Sequence, residues 1–426
     1  MRTQQGSRRY HPAMRRRLHE SDACQGRRGR HLLWRTLGAG AAAAALVFYG
    51  AALGAPPMAR AQIPAASPSL AAQAFSEAPE PSVAPEIEAT GVDGPRVARA
   101  SEAKRVMAHA QDAPLKPAGT NDPTCRVSPE RSEAVIMLHG TDSTFYGDYA
   151  ELAPRLVDAG WCVFGLDYGQ GADPEKGFGY LPLEDSAAQV DELVRAAVAT
   201  SGATGVHVIG FSQGASVGRM WVNAIDRGKL TRSWIGIASP TRGGGPAHLG
   251  SVVDHLKDRA AEQATSQSGS VEMRATVAEG LSAGIDRLLQ PSLQQLLRGS
   301  RAIEAQNTPA ETVPGPRYTT IATRVDEMIW DVDVQSIHGP MAQNLVVQDV
   351  CPHNLGGHMY SPYNPTVMSA VLNLLDNWQD GGDWGDVTCR PVPLGFDMPE
   401  LIVVDNLRKM RGDAPHDRPV TYVTRS

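Results

Sequence analysis

From Cys125 onward, short apolar runs alternate with longer stretches whose apolar positions recur every three to four residues. The short runs predict strands over 134–138, 161–166, 205–209, 234–238, 317–323 and 345–348. The longer ones predict helices over 148–159, 183–200, 212–226 and 366–378. Strand and helix in alternation is the pattern of an α/β chain, a mostly parallel sheet with helices on both faces. Two regions depart from the rhythm. Residues 62–120 are rich in Ala, Pro, Ser and Glu and carry no sustained apolar period, which reads as a linker with one short helix near 101–111. Residues 243–312 are too long for an ordinary connection between strands. Their apolar residues, Val252, Val253 and Leu256, then Leu288, Leu289, Leu293, Leu296 and Leu297, read as a helical insertion. Above the strand ends it would be a cap or lid; on the side of the sheet it would be a packed hairpin. The domain reading is 1–61, 62–120, a core over 121–395 that includes the insertion, and a C-terminal extension over 396–426.

Composition changes the picture at the N-terminus. The first 35 residues carry ten Arg against Glu20 and Asp22, followed by an apolar run from Leu37 to Leu53 and then Ala59-Arg60-Ala61. This is the arrangement of an export signal cleaved after Ala61; the rival reading is an uncleaved anchor. Arg27-Arg28 only loosely resembles a twin-arginine signal. Removing the nine net positive charges of residues 1–61 takes the formal charge from −6 to about −15. Such a chain is unsuited to nucleic acid, which needs a basic face. Cys24 falls in the export segment, which leaves Cys125, Cys162, Cys351 and Cys389. An even count in an exported chain suggests two disulfides. No Cys or His cluster has zinc spacing, so no structural metal is expected.

The candidate chemistry sits at Val206-His207-Val208-Ile209-Gly210-Phe211-Ser212-Gln213-Gly214-Ala215. A strand runs into Gly-Phe-Ser-Gln-Gly and a helix follows, the nucleophile-elbow pattern. The turn is sharp, and larger residues at Gly210 and Gly214 would collide with the flanking strand and helix. An ordinary strand-to-helix turn with Ser212 as N-cap would read similarly, so the other members of the constellation matter. Acyl transfer by serine needs a base, a carboxylate that orients it, and oxyanion donors, in the chain order Ser, acid, His and at strand carboxyl ends. Asp326 follows the strand-forming run Tyr318 to Thr323, with Asp331 and Asp333 as alternatives farther on. His358 follows the last strand and precedes the last core helix, with His353 as competitor; His139 and His207 read as packing residues. For the oxyanion, Gln213 offers its N–H at a helix start, and Thr141 offers N–H and hydroxyl in the turn after the first core strand. Gly243-Gly244-Gly245 lacks the lysine of a phosphate-binding loop.

The block Leu138-His139-Gly140-Thr141, the turn Gly165-Leu166-Asp167-Tyr168-Gly169, Gly-Phe-Ser-Gln-Gly, and Val350-Cys351-Pro352 followed by His358 together resemble the secreted actinobacterial class 2 lipases and lipase B of the Candida antarctica type. Asp326-Glu327 after Thr-Arg-Val, Pro362-Tyr363-Asn364-Pro365 after His358, and Asp383-Trp384-Gly385 leading to Cys389-Arg390-Pro391 extend the resemblance over roughly residues 121–395. It implies an α/β-hydrolase fold, a Ser212–Asp326–His358 triad, Thr141 and Gln213 as oxyanion residues, and the pairs Cys125–Cys162 and Cys351–Cys389. Asn364 in place of Asp, and Gly356-Gly357 before the base, depart from the family pattern. The expectation is a secreted, cofactor-free serine esterase acting on lipid esters, with contact to a lipid interface. A short-chain esterase, polyester hydrolase or acyltransferase could use the same residues, and a non-catalytic binding protein could keep the fold.

Overall fold

In the computed structural model, residues 91–110, 113–171, 177–244 and 290–411 are described. The export segment 1–61 and Val252, Val253, Leu256, Leu288 and Leu289 of the insertion lie outside them. In chain order the main elements are β1 (Val92–Gly94), α1 (Ala100–Met107), β2 (Leu115–Pro117), β3 (Glu133–Leu138), α2 (Phe145–Tyr149), α3 (Leu152–Asp158), β4 (Val163–Gly165), α4 (Leu183–Ser201), β5 (Gly205–Phe211), α5 (Gln213–Met220), β6 (Thr231–Ile237), α6 (Pro291–Gln295), α7 (Arg301–Asn307), β7 (Arg317–Ala322), β8 (Ala342–Val346), α8 (Pro365–Asp376) and α9 (Met398–Arg411).

Strands β3 to β8 form one parallel sheet in the order β4-β3-β5-β6-β7-β8. The period of two along each strand divides its side chains between two cores. Ala134, Ile136, Leu138, Val206 and Val208 face Leu183, Val190, Leu193 and Val194 of α4 and Ala215 and Val217 of α5. Val135, Met137, Ile209 and Phe211 face Phe145, Tyr149, Leu152, Leu156, Val371 and Leu374 of α2, α3 and α8. The central strands are therefore buried on both sides, which is why they read as unbroken apolar runs. After β3 the chain leaves toward one face; after β5 it leaves toward the other. Two neighbouring strands whose connections diverge open a crevice at their carboxyl ends, and Thr141 and Ser212 stand on its two sides.

Three elements differ from the sequence expectation. The single helix expected over 148–159 is two, α2 and α3. Thr144 caps α2 by accepting the Gly147 N–H at 2.8 Å, and Pro154 has no N–H with which to bond one turn back, so the helix restarts rather than continues. The helix expected over 212–226 is α-helical only to Met220 and closes as a π-helical stretch over Trp221–Asp226. The last strand runs over Ala342–Val346 rather than 345–348. It is an edge strand whose polar side chains bond sideways: Gln343 donates to Thr319 Oγ1 at 2.9 Å and Thr320 donates to Asn344 Oδ1 at 2.6 Å. An apolar pattern finds only its Leu345–Val346 end.

Residues 92–117, expected within the linker, carry the parallel pair β1–β2 and helix α1. Ala100, Ala103 and Leu115 pack with Tyr146, Tyr360, Tyr363 and Leu401. Asp397, before α9, accepts both the N–H and the hydroxyl of Ser101, tying the N-terminal segment to the C-terminal one. Disulfides join Cys125 to Cys162 and Cys351 to Cys389. At the base of the insertion, Gly244 donates to Leu296 O at 2.8 Å and accepts from Arg298 at 2.9 Å, while Leu296 and Leu297 are buried and Leu293 is half-buried.

Candidate active site

Ser212 occupies the turn between β5 and α5 with φ 52° and ψ −119°. A positive φ is costly for a residue with a side chain, and the surroundings hold it there. The Ser212 N–H donates to Ile237 O at 2.9 Å. A Cβ on Gly210 would lie 2.4 Å from the backbone of Gly214 and Ala215, and one on Gly214 would lie 2.2 Å from Leu138 O. The two glycines let helix α5 start hard against the ends of β5 and β3, which lifts the serine hydroxyl out of the sheet.

His358 comes from the loop between β8 and α8, Asp326 from the loop after β7. His358 Nε2 lies 3.0 Å from Ser212 Oγ and Nδ1 lies 2.9 Å from Asp326 Oδ2. The other oxygen of Asp326 accepts the N–H groups of Met328 and Ile329 at 2.9 and 2.6 Å, so the carboxylate is held on both sides. Asp326 and His358 are buried, and the ring of Phe211 lies 5.0 Å from the imidazole centroid. Burial pulls the His358 pKa down. The charge and hydrogen bond of Asp326, then the charges of Glu327 and Asp148, overcome that pull and leave it above the ordinary histidine value. The competitors stand apart: His353, Asp331 and Asp333 are exposed, and Asp331 accepts from Asp333 N–H at the start of a single helical turn. His139 and His207 are buried in aromatic surroundings, on Tyr168 and between Trp161 and Trp378 respectively.

Across the crevice, Thr141 Oγ1 bonds to Gln213 Oε1. The turn that carries Thr141 is fastened group by group. Tyr149 hydroxyl donates to Leu138 O at 2.9 Å, Tyr168 hydroxyl to His139 O at 2.6 Å, and the Gly140 N–H to Asp148 Oδ2 at 2.7 Å. His139 Nδ1 lies 2.7 Å from Gly140 O, while its Nε2 accepts the Tyr168 N–H at 3.2 Å. This fixes the ring as neutral with its proton on Nδ1, in keeping with a pKa lowered by burial to about 4. Asp148 has its pKa raised to about 6, again by burial. Asp148, Tyr149, Tyr168 and Glu327 escape the sequence reading. Nothing in their spacing marks them, although Glu327 directly follows Asp326 and Tyr168 lies in a turn that carries the family resemblance. Among the described residues no group of acidic, His and Cys side chains is placed to hold a metal ion.

The sequence profile of the Alpha/beta hydrolase family matches residues 135–394. The chain has no match among curated protein sequences. Among solved structures it is similar to Aspergillus fumigatus lipase B, at 15% identity over 72% of this chain and 67% of that one with a TM-score of 0.45. It is also similar to an esterase from Exiguobacterium antarcticum, at 14% identity over 57% and 91% of the two chains with a TM-score of 0.37. A lipase from Bacillus licheniformis in its mature form matches at 14% identity over 60% and 96%, with a TM-score of 0.36.

Proposed function

Since this chain belongs to the alpha/beta hydrolase family, we propose that it is a secreted serine esterase or lipase that cleaves carboxylic esters through an acyl-enzyme. The observation that carries the reading is the hydrogen-bonded run from Asp326 through His358 to Ser212, with the serine held at positive φ between two obligatory glycines. A serine that served only as a helix cap would need neither the strained backbone nor the buried histidine at 3.0 Å.

In this reading Ser212 Oγ attacks the ester carbonyl and passes its proton to His358 Nε2. Asp326 holds the imidazole by Nδ1 and stabilises its cation. The oxyanion is received by Thr141 and by the Gln213 N–H at the start of α5. His358 returns the proton to the leaving alcohol, and the acyl group stays on Ser212. Water, deprotonated by His358, then releases the acid. No step calls for a cofactor. Lipid esters of the kind cleaved by class 2 lipases are the substrate class. Residues 1–61 are an export signal removed after Ala61. Two disulfides fit an oxidising compartment, and no helix among the described residues is long and apolar enough to cross a membrane.

The test is a fluorophosphonate label with peptide mapping, then p-nitrophenyl esters from acetate to palmitate and a triolein emulsion. Labelling at Ser212, hydrolysis favouring long chains, and a loss of at least about a thousandfold in Ser212→Ala are expected. A folded Ser212→Ala variant with near-normal turnover would sink the mechanism. Activity confined to acetate would keep the serine chemistry and reject the lipid substrate.

A further inference from the structure

Two adjacent carboxylates leave the loop after β7, and both end on His358. Asp326 takes the ring and Glu327 takes the backbone. Glu327 Oε2 accepts the His358 N–H at 2.8 Å, and Oε1 accepts the Met359 N–H at 3.2 Å. One carboxylate therefore bridges the two peptide groups that flank the base. Room for it comes from Gly357, where a Cβ would lie 2.0 Å from Glu327 Oε2. Gly356 is confined in a similar way, since its Cβ would meet Asn364 Nδ2 at 2.8 Å. The Gly-Gly pair before the base, a departure from the family pattern in sequence, is thus the space that a side-chain clamp requires.

A segment with two successive glycines has little conformational preference of its own. The imidazole swings from the Cα of His358, and a small drift of that backbone would move Nε2 away from Ser212 while Nδ1 strained against Asp326. Hydrogen bonds to an ionised acceptor are roughly twice as strong as neutral ones, so a carboxylate across two N–H groups restores the missing stiffness. We propose that Glu327 is a positioning residue for the reaction: it clamps the backbone of His358 and supplies a second fixed negative charge toward the imidazolium formed in turnover. The proposal rests on the serine-esterase reading.

The groups around the imidazole are few. Asp326 and Glu327 come from the loop after β7, Asp148 from α2, and Ser212 and Phe211 from the elbow. The three carboxylates all favour the protonated ring. Removing the Glu327 charge therefore lowers the pH at which His358 loses its proton, and the acid limb of the reaction moves down. Removing the clamp lowers the plateau as well. A residue that merely supported the fold would lower the plateau without moving the limb.

The probe is a fluorophosphonate, whose second-order rate of reaction with Ser212 is followed through the acid limb for the full chain. The variants are Glu327→Gln, Glu327→Ala, Gly357→Ala, and Glu327→Ala with Gly357→Ala. Glu327→Gln keeps the shape, loses the charge and leaves one of the two N–H groups without an acceptor; the plateau falls about threefold and the limb moves down by roughly half a pH unit. Glu327→Ala falls about tenfold. Gly357→Ala also falls about tenfold alone but adds little in the Glu327→Ala background, because its collision partner is gone. An unmoved limb in Glu327→Gln, or additive losses in the double variant that track Tm, would overturn the clamp while leaving the serine chemistry in place. Wild-type protein that takes no label at Ser212 would overturn both.

Discussion

The two sides of the crevice are built to opposite electrostatic plans. Both lie beyond the carboxyl ends of parallel strands, and in the proposed chemistry both hold a group that faces the reacting carbon. Around His358 the protein gathers carboxylates: Asp326 on the ring, Glu327 on the backbone, Asp148 within range. Around Thr141 it uses tyrosine hydroxyls and a neutral histidine, and the carboxylates nearby are engaged by donors: Asp148 by the Gly140 N–H and the Ser143 hydroxyl, Asp142 by the Gly177 N–H and Asp167 by the Phe145 N–H. The difference follows the charge that the proposed chemistry would create. In that chemistry an imidazolium would form on one side, stabilised by fixed anions, and an oxyanion on the other, where unneutralised negative charge would raise the barrier.

The comparison breaks most readily at the base. His358→Ala should cost about a thousandfold in kcat/KM, whereas His353→Ala, on an exposed residue of the same loop, should leave it within about threefold. Ester assays on both folded variants decide it, and reversed effects would move the base assignment to His353. The next largest effect belongs to the link that closes the His358 loop. Replacing Cys351 and Cys389 together by Ser should cost roughly 2–5 kcal/mol in denaturant unfolding, with activity per folded molecule falling as the loop loosens. Stability equal to wild type would show that the loop is held by its polar contacts alone.

The neutral side has its own signature in pH. His139 is buried and neutral, with its pKa lowered to about 4 from 6.5. The folded value lies below the unfolded one, so this stability is present above about pH 6.5 and is lost as pH falls through 4. If burial acts in full it amounts to roughly 3 kcal/mol. Urea midpoints measured through that window should decline in wild type and decline less in His139→Phe; parallel declines would remove His139 as the cause. Smaller still is Asp148→Asn, expected to lower kcat by about tenfold with KM little changed, since an amide has one acceptor oxygen and must set its NH2 against either the Gly140 N–H or the Ser143 hydroxyl. A rise in KM alone would place Asp148 in binding rather than in the oxyanion turn. Tyr168→Phe, which leaves His139 O without one donor, is expected to cost under about threefold by the same assay.

The inner strands of the sheet and the elbow were legible in the chain because each has a local physical cause. Strands covered on both faces must be apolar throughout, and a serine turn wedged between strand and helix must be flanked by glycine at 210 and 214. The order Ser212, Asp326, His358 also lies open in the sequence once strand ends are placed. Contacts between segments distant in the chain left no such mark. Edge strand β8 is polar and pairs through side chains. Within residues 92–117 the short helix was legible, but strands β1 and β2, of three residues each, are too short to show a period, and the residues that the segment packs against, among them Tyr146, Tyr360, Tyr363 and Leu401, lie far along the chain.

The sequence by itself determined the fold class and the residue types available for acyl transfer, since hydrophobic period and steric need at a turn are properties of neighbouring residues. Only the tertiary structure decided what fastens the Thr141 turn, what holds the backbone of His358, and why two glycines precede the base. Those outcomes depend on distances between residues such as Glu327 and His358, 31 positions apart. Such distances are set by how the strands pack, and no single stretch of chain encodes them.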